Sequence, residues 1–209
     1  MAMAVDFTSS RRLILRVWRA GDEVDRLAAV WGWPQREVSV SVDLFEEPSS
    51  VSWGDDARLV MTCYADWNVR LSYLIFFGVD AGEVSEAFES AEARLDTWSL
   101  DELLADVRSA SDPEDLAKAV ERAAYGAPVE FDERFFAVID DTLRHNDPRV
   151  REGGIWAVSM AQYPQFQPQI MAIAETDEVE VLREMAAVLV RRTDDGAGNH
   201  NRTPGDATA

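Results

Sequence analysis

The 209-residue chain contains a single cysteine, Cys63, and two histidines, His145 and His200. One thiol cannot close an intrachain disulfide, and nothing points to an oxidising compartment. Two histidines so far apart offer no paired-His zinc motif. There is also no Cys-x-x-Cys pair and no glycine-rich phosphate loop of either nucleotide-binding kind. No run approaches about 18 apolar residues, and the first residues lack a charged start followed by an apolar stretch. The expectation is a cytoplasmic protein without membrane span, cofactor or metal.

Cations are scarce as well. Lys118 is the only lysine, and 20 Lys and Arg face 39 Asp and Glu for a formal net charge of -19. The acidic excess is spread along the chain and no segment is basic. A phosphate-binding surface needs clustered cations, so nucleic acid is excluded as the expected partner. The arginine bias is that of proteins from GC-rich bacterial genomes. Such charge keeps a protein soluble, and it equally suits electrostatic steering toward a basic partner.

What is present is enough apolar material, 47% of the chain, for a substantial core in one or two domains. Leu13 to Val17 alternate as a first strand, and Asp22 is placed to cap a helix carrying Val24, Leu27, Ala28 and Trp31, closed by Trp33-Pro34. Val38, Val40, Val42 and Leu44 alternate strictly with polar residues, the clearest strand in the sequence. Glu46 to Asp56, with Pro48, two serines and Gly54, reads as a loop. Leu59–Tyr64 and Leu71–Phe77 read as two strands joined through Ala65-Asp66-Trp67-Asn68, hence antiparallel.

Near residue 80 the apolar period changes from 2 to 3.6. A long helix is expected from Gly82 through Trp98, and Ser99 with Glu102 forms a capping box for the next. The fold class expected is α+β: an N-terminal antiparallel sheet with helices over residues 1–98, an all-helical half over 99–193, and a disordered tail over 194–209.

Within the helical half, Phe135, Phe136, Ile139 and Leu143 give one apolar face, with Asp140 and Asp141 on the polar side. Asp147-Pro148 is a helix start, the carboxylate capping free N–H groups and the proline sitting where no N–H is needed. Val150, Gly154, Ala157, Val158 and Ala161 form a stripe of mostly small residues that admits a close neighbour. Two further helices follow, with Ile170 and Ile173, then Leu182, Met185, Ala186 and Leu189, facing inward. Aliphatic-Arg recurs at Val150-Arg151 and Leu182-Arg183, an offset of 32 residues (183 minus 151).

A helical unit repeating in this range is the mark of an α-solenoid. Asp147 through Arg151 and Asp177 through Arg183 resemble the inter-helix turns of HEAT repeats, and the resemblance covers residues 112–192. In that family an Asp six places before the Arg joins a ladder of polar contacts between successive turns. Asp177 and Arg183 fit the spacing; His145 stands where the first unit would have its Asp. The resemblance implies a helical-repeat shape and protein binding, and it carries no catalytic residues. In size, charge and build the chain also resembles small acidic bacterial immunity proteins, which neutralise a cationic toxin.

Candidate partner-binding residues are Trp53 and Trp67, aromatic anchors in expected loops, with the paired acids Asp55-Asp56 and Asp140-Asp141. Trp156 fits either a binding face or a place between solenoid layers. His145, ending a helix, is explained by the helix C-terminal dipole. Three functions are compatible with this inventory: a non-catalytic module binding a basic protein; an enzyme with a carboxylate-based site at Glu46, Asp55 or Asp56; and a structural subunit of a larger assembly.

Overall fold

A computed structural model describes residues 7–39, 49–55, 58–67 and 69–199. Among them the chain is α+β, with six strands and eight α-helices: β1 (Thr8–Ser9), β2 (Leu13–Leu15), α1 (Gly21–Trp31), β3 (Gln35–Ser39), β4 (Ser49–Asp55), β5 (Leu59–Asp66), β6 (Leu71–Gly78), α2 (Ala81–Glu92), α3 (Leu100–Ser109), α4 (Pro113–Gly126), α5 (Glu133–Leu143), α6 (Pro148–Ala161), α7 (Gln167–Thr176) and α8 (Glu180–Asn199). No helix among these residues is long and apolar enough to cross a membrane.

The strands form one antiparallel sheet in the order β1-β6-β5-β4-β3, with β2 also pairing β6. Because side chains alternate across a strand, each face has its own core. Leu13, Leu15, Trp53, Met61, Cys63, Leu74 and Phe76 point to one side, where Val24, Leu27 and Ala28 of α1 and Val84 and Ala91 of α2 cover them. Ile14, Leu71 and Tyr73 point to the other and share a continuous core with Leu103, Leu104, Ala123, Ile139, Ile155 and Leu182 from the helical half. The sheet is thus the middle of three layers. The chain between α2 and α3 is stitched along β2, where the Arg16 N–H donates to Asp96 O (3.0 Å) and the Trp98 N–H to Ile14 O (2.9 Å).

Several expectations from the sequence are corrected. Much of the segment read as a loop, Ser49–Asp55, is β4, paired along its length with β5. Glycine and serine give it the composition of a loop, but Gly54 lies where a Cβ would stand 2.3 Å from the Leu59 carbonyl, so its lack of a side chain admits the neighbouring strand. Asp22 lies in the first turn of α1 rather than at its cap, which is Ala20 with no side-chain bond. α2 stops at Glu92, so Trp98 belongs to the stretch beside β2. The strict alternation after Val38 is seen only through Ser39, all of β3 being exposed, and Val40–Leu44 lie outside the described residues. α8 extends to Asn199, into the stretch expected as a tail.

The helices of the second half pack in consecutive pairs, α3 with α4, α5 with α6, α7 with α8, and the second members are in contact in turn, α4 with α6 and α6 with α8. Carboxylate or hydroxyl caps start most of them: Ser99 in a complete capping box with Glu102, then Asp112, Asp132 and Asp147. Close approach is set by two glycines of α6. A Cβ at Gly153 would lie 3.0 Å from the Ala117 Cα and Cβ of α4, and one at Gly154 would lie 2.7 Å from Thr142 Oγ1 of α5. Gly153→Val is expected to destabilise the protein by about 1–3 kcal/mol through overpacking, read as a lowered urea midpoint; an unchanged midpoint would show that α4 and α6 have slack.

Candidate interaction surface

The turns between paired helices carry the best-defined polar geometry. Arg151, near the start of α6, is buried, and its guanidinium donates from Nε to Asp177 Oδ2 (2.8 Å) and from Nη2 to Asp177 Oδ1 (3.0 Å). Nη1 donates to the carbonyls of His145 (2.9 Å) and Asn146 (3.1 Å). In the next turn, Arg183 Nη1 donates to Asp177 O at 2.6 Å, again the carbonyl six residues earlier. The pair of arginines therefore repeats one contact, and the Asp177 carboxylate adds a rung from one turn to the next. Burial works to raise the Asp177 carboxyl, but the Arg151 bonds and the Val179 N–H outweigh it and hold it below the usual range. Asp147, half-buried and bonded by Arg149, is brought down to about 2. His145 differs from its expected role: its Nδ1 accepts the Asp147 N–H at 3.0 Å, bridging the turn instead of answering a helix dipole.

The aromatic and acidic anchors expected from sequence are dispersed. Trp53 is 2% exposed, on the inner face of β4, with its indole N–H donated to Asp25 Oδ1 (3.1 Å), so it cannot be a surface anchor. Asp55 ends β4, and Asp56 and Glu46 lie outside the described residues. Trp67 is partly exposed at the β5–β6 connection, edge-on to Trp18 at 5.3 Å and covered by the Arg19 guanidinium at 4.7 Å. Asp140, expected on a solvated face, is buried and paired with Arg144, while Asp141 remains exposed. Phe135, Ile139 and Leu143 do bury as expected; Asp140 lies at the border of their stripe.

Two features were missed. The first is a junction between sheet and helices, where the Tyr125 hydroxyl of α4 donates to the buried Asp66 Oδ2 of β5 at 2.6 Å. Burial first, then this bond, pushes the Tyr125 phenol well up from its usual range. Beside it Glu121 is pushed up to about 7 by burial and then by the negative charges of Glu152 and Asp66, with Lys118 opposing. Arg12 closes the far side, its guanidinium over both Tyr73 (5.9 Å) and Tyr125 (5.6 Å).

The second is a repeated exposed stripe. Arg149, Glu152 and Trp156 on α6 are exposed, and so are Val181, Glu184 and Val188 on α8, each 32 residues on. The sequence offset was legible from Arg151 and Arg183; that it extends to the solvent side could have been found by carrying the same offset along the helix. Among the described residues no group of three or more His, Cys, Asp or Glu is placed to hold a metal ion.

Truncating Arg151 leaves the Asp177 carboxylate without its partner, and Arg151→Ala should cost about 3–5 kcal/mol by chemical denaturation. Arg151→Lys should recover only part, since an ammonium lacks the planar fork that spans both carboxylate oxygens; full recovery would mean that charge alone suffices. Glu121 gives a pH signature. Its folded value lies above the ordinary 4.5, so the folded state binds the extra proton; its contribution is present below about pH 4.5 and is lost as pH rises through about 7. Glu121→Gln should remove that part of the fall and be more stable than the parent at pH 8, as urea midpoints at pH 5 and 8 would show.

No family model matches the chain, and no curated protein or solved structure is significantly similar to it.

Proposed function

We propose that the protein is a non-catalytic interaction module: an acidic, HEAT-like stack of helix pairs that binds a basic protein partner. The observation that carries this reading is the repeated open face of α6 and α8, where three successive positions of one helix recur in exposure on the next. A stack of pairs buries each unit only against its neighbours and leaves such a face for something else to meet.

Charge supports the same reading. Many of the few cations are spent within the protein, Arg11 on Glu92, Arg16 on Asp96 and Glu102, Arg58 on Glu83, Lys118 on Glu114, and Arg151 on Asp177. The surface left over is rich in carboxylates, a field that accelerates encounter with a basic protein and weakens with salt. In its narrower form the reading is an immunity-type inhibitor that neutralises a cationic protein, the role that size and charge suggest.

The test is a pull-down with the tagged protein from its native cell, washed in steps of increasing salt and identified by mass spectrometry. A single basic protein retained at low ionic strength and released by moderate salt is the expected result. Recovery of no protein partner at low salt would overturn the reading.

A further inference from the structure

Tryptophan is the costliest side chain to leave in water without a partner, and this chain leaves one. Trp31 and Trp33 lie together (4.9 Å), Trp18 meets Trp67 (5.3 Å), Trp53 bonds Asp25, and Trp98 has the guanidiniums of Arg16 (4.3 Å) and Arg122 (5.0 Å) over its ring. Among the described residues Trp156 alone has no ring, cation or hydrogen-bonding group against its indole, and it is 51% exposed. Its neighbours make a pattern. Glu152, one turn earlier on α6, and Glu184, its counterpart on α8, are exposed and form no ion pair among the described residues; Val188, the counterpart of Trp156, is 39% exposed. Glu121 and its raised carboxyl lie beside Glu152 on the α4 side.

We infer that the open face of α6 and α8 is a docking surface for a basic amphipathic helix of the partner, with Trp156 as its anchor. The inference rests on the interaction-module reading above and names the place and the chemistry. Two adjacent helices leave a furrow between them, and a third helix fits such a furrow by its apolar stripe. Trp156 and Val188 occupy matching positions 32 residues apart on the two helices and are both exposed, and each has an exposed carboxylate four residues earlier, Glu152 and Glu184. The complementary helix carries leucine-like residues three and four apart, with arginine or lysine on the flanks. Arginine is favoured over Trp156, because a guanidinium can lie on the indole face while pairing with Glu152. An acidic helix would place like charges against Glu152 and Glu184. A fully apolar one would leave both carboxylates at the edge of a dry contact without a counter-charge.

The probe is a synthetic 18-residue amphipathic helix of leucine and arginine. Its affinity is measured by calorimetry for the full chain, for Trp156→Ala, for the Glu152→Gln/Glu184→Gln pair, and for Glu86→Gln/Glu89→Gln on the distant helix α2, with hydrogen exchange locating the contact. The expected result is protection confined to α6 and α8. Trp156→Ala should weaken binding by at least tenfold. Glu152→Gln/Glu184→Gln should weaken it and flatten its salt dependence, and the α2 variant should match the parent. Equal binding by all variants with no localised protection would overturn the docking surface and leave only bulk attraction to an acidic protein. No binding by the parent at any salt would overturn both this surface and the broader reading of a module for basic partners. Circular dichroism of each variant separates lost binding from lost folding, and a Trp156→Phe variant that restores affinity would confirm that an aromatic ring is what the partner meets.

Discussion

A guanidinium taken out of water must have its donors met one by one, and the helical half of this protein is arranged so that Arg151 finds them. Two go to Asp177, and another reaches the carbonyls of the turn that precedes α6. Since Asp177 opens the following turn and its carbonyl is held in the same way by Arg183, the spacing between successive helix pairs is fixed by the reach of one side chain. Packing alone would leave that spacing looser, because the small residues between α4 and α6 permit close approach without dictating where along the helices it occurs. The buried pair supplies the register; the glycines supply the distance.

The second constraint is where the helical stack meets the sheet. Ile14, Leu71 and Tyr73 belong to the same core as α3 to α6, so the two halves share one continuous interior, pinned by the Tyr125 bond to Asp66. Three carboxylates from three elements, Asp66, Glu121 and Glu152, come together at this seam, with the Lys118 ammonium opposing the other charges at Glu121. That is an unfavourable arrangement for a purely structural joint. It makes the seam the place where proton concentration near neutrality reaches the packing.

The parts of the fold governed by local periodicity could be read from the sequence. The helix starts at Ser99 and Asp147, the apolar stripe of α6, and the antiparallel pair β5 and β6 follow from spacing and capping chemistry, which act within a few residues. What failed depended on partners far away in the chain. β4 has the composition of a loop and becomes a strand because β5 lies beside it; Trp53 loses its surface role for the same reason. Asp140 sits at the edge of a helical stripe, where a rotation of a few tens of degrees decides between solvent and core. The acidic seam was invisible because Asp66, Glu121 and Glu152 are each unremarkable in so acidic a sequence, and only the tertiary fold brings them together.

Strand β2 and the residues beside it associate with segments much later in the chain. β2 pairs with β6, its backbone is extended by Asp96 to Trp98, Ile14 lies against Gly126, and Arg12 Nη1 reaches the carbonyl of Met160 at 3.3 Å, near the C-terminal end of α6 where a cation is favoured. Such contacts carry a large loop-closure cost and form only after the intervening chain has been ordered. On a ribosome, where residues emerge in order, β2 has no strand to pair with until β6 has been made, and Arg12 has no carbonyl to cap until α6 is nearly complete. A strand made early in synthesis is therefore among the last to be finished.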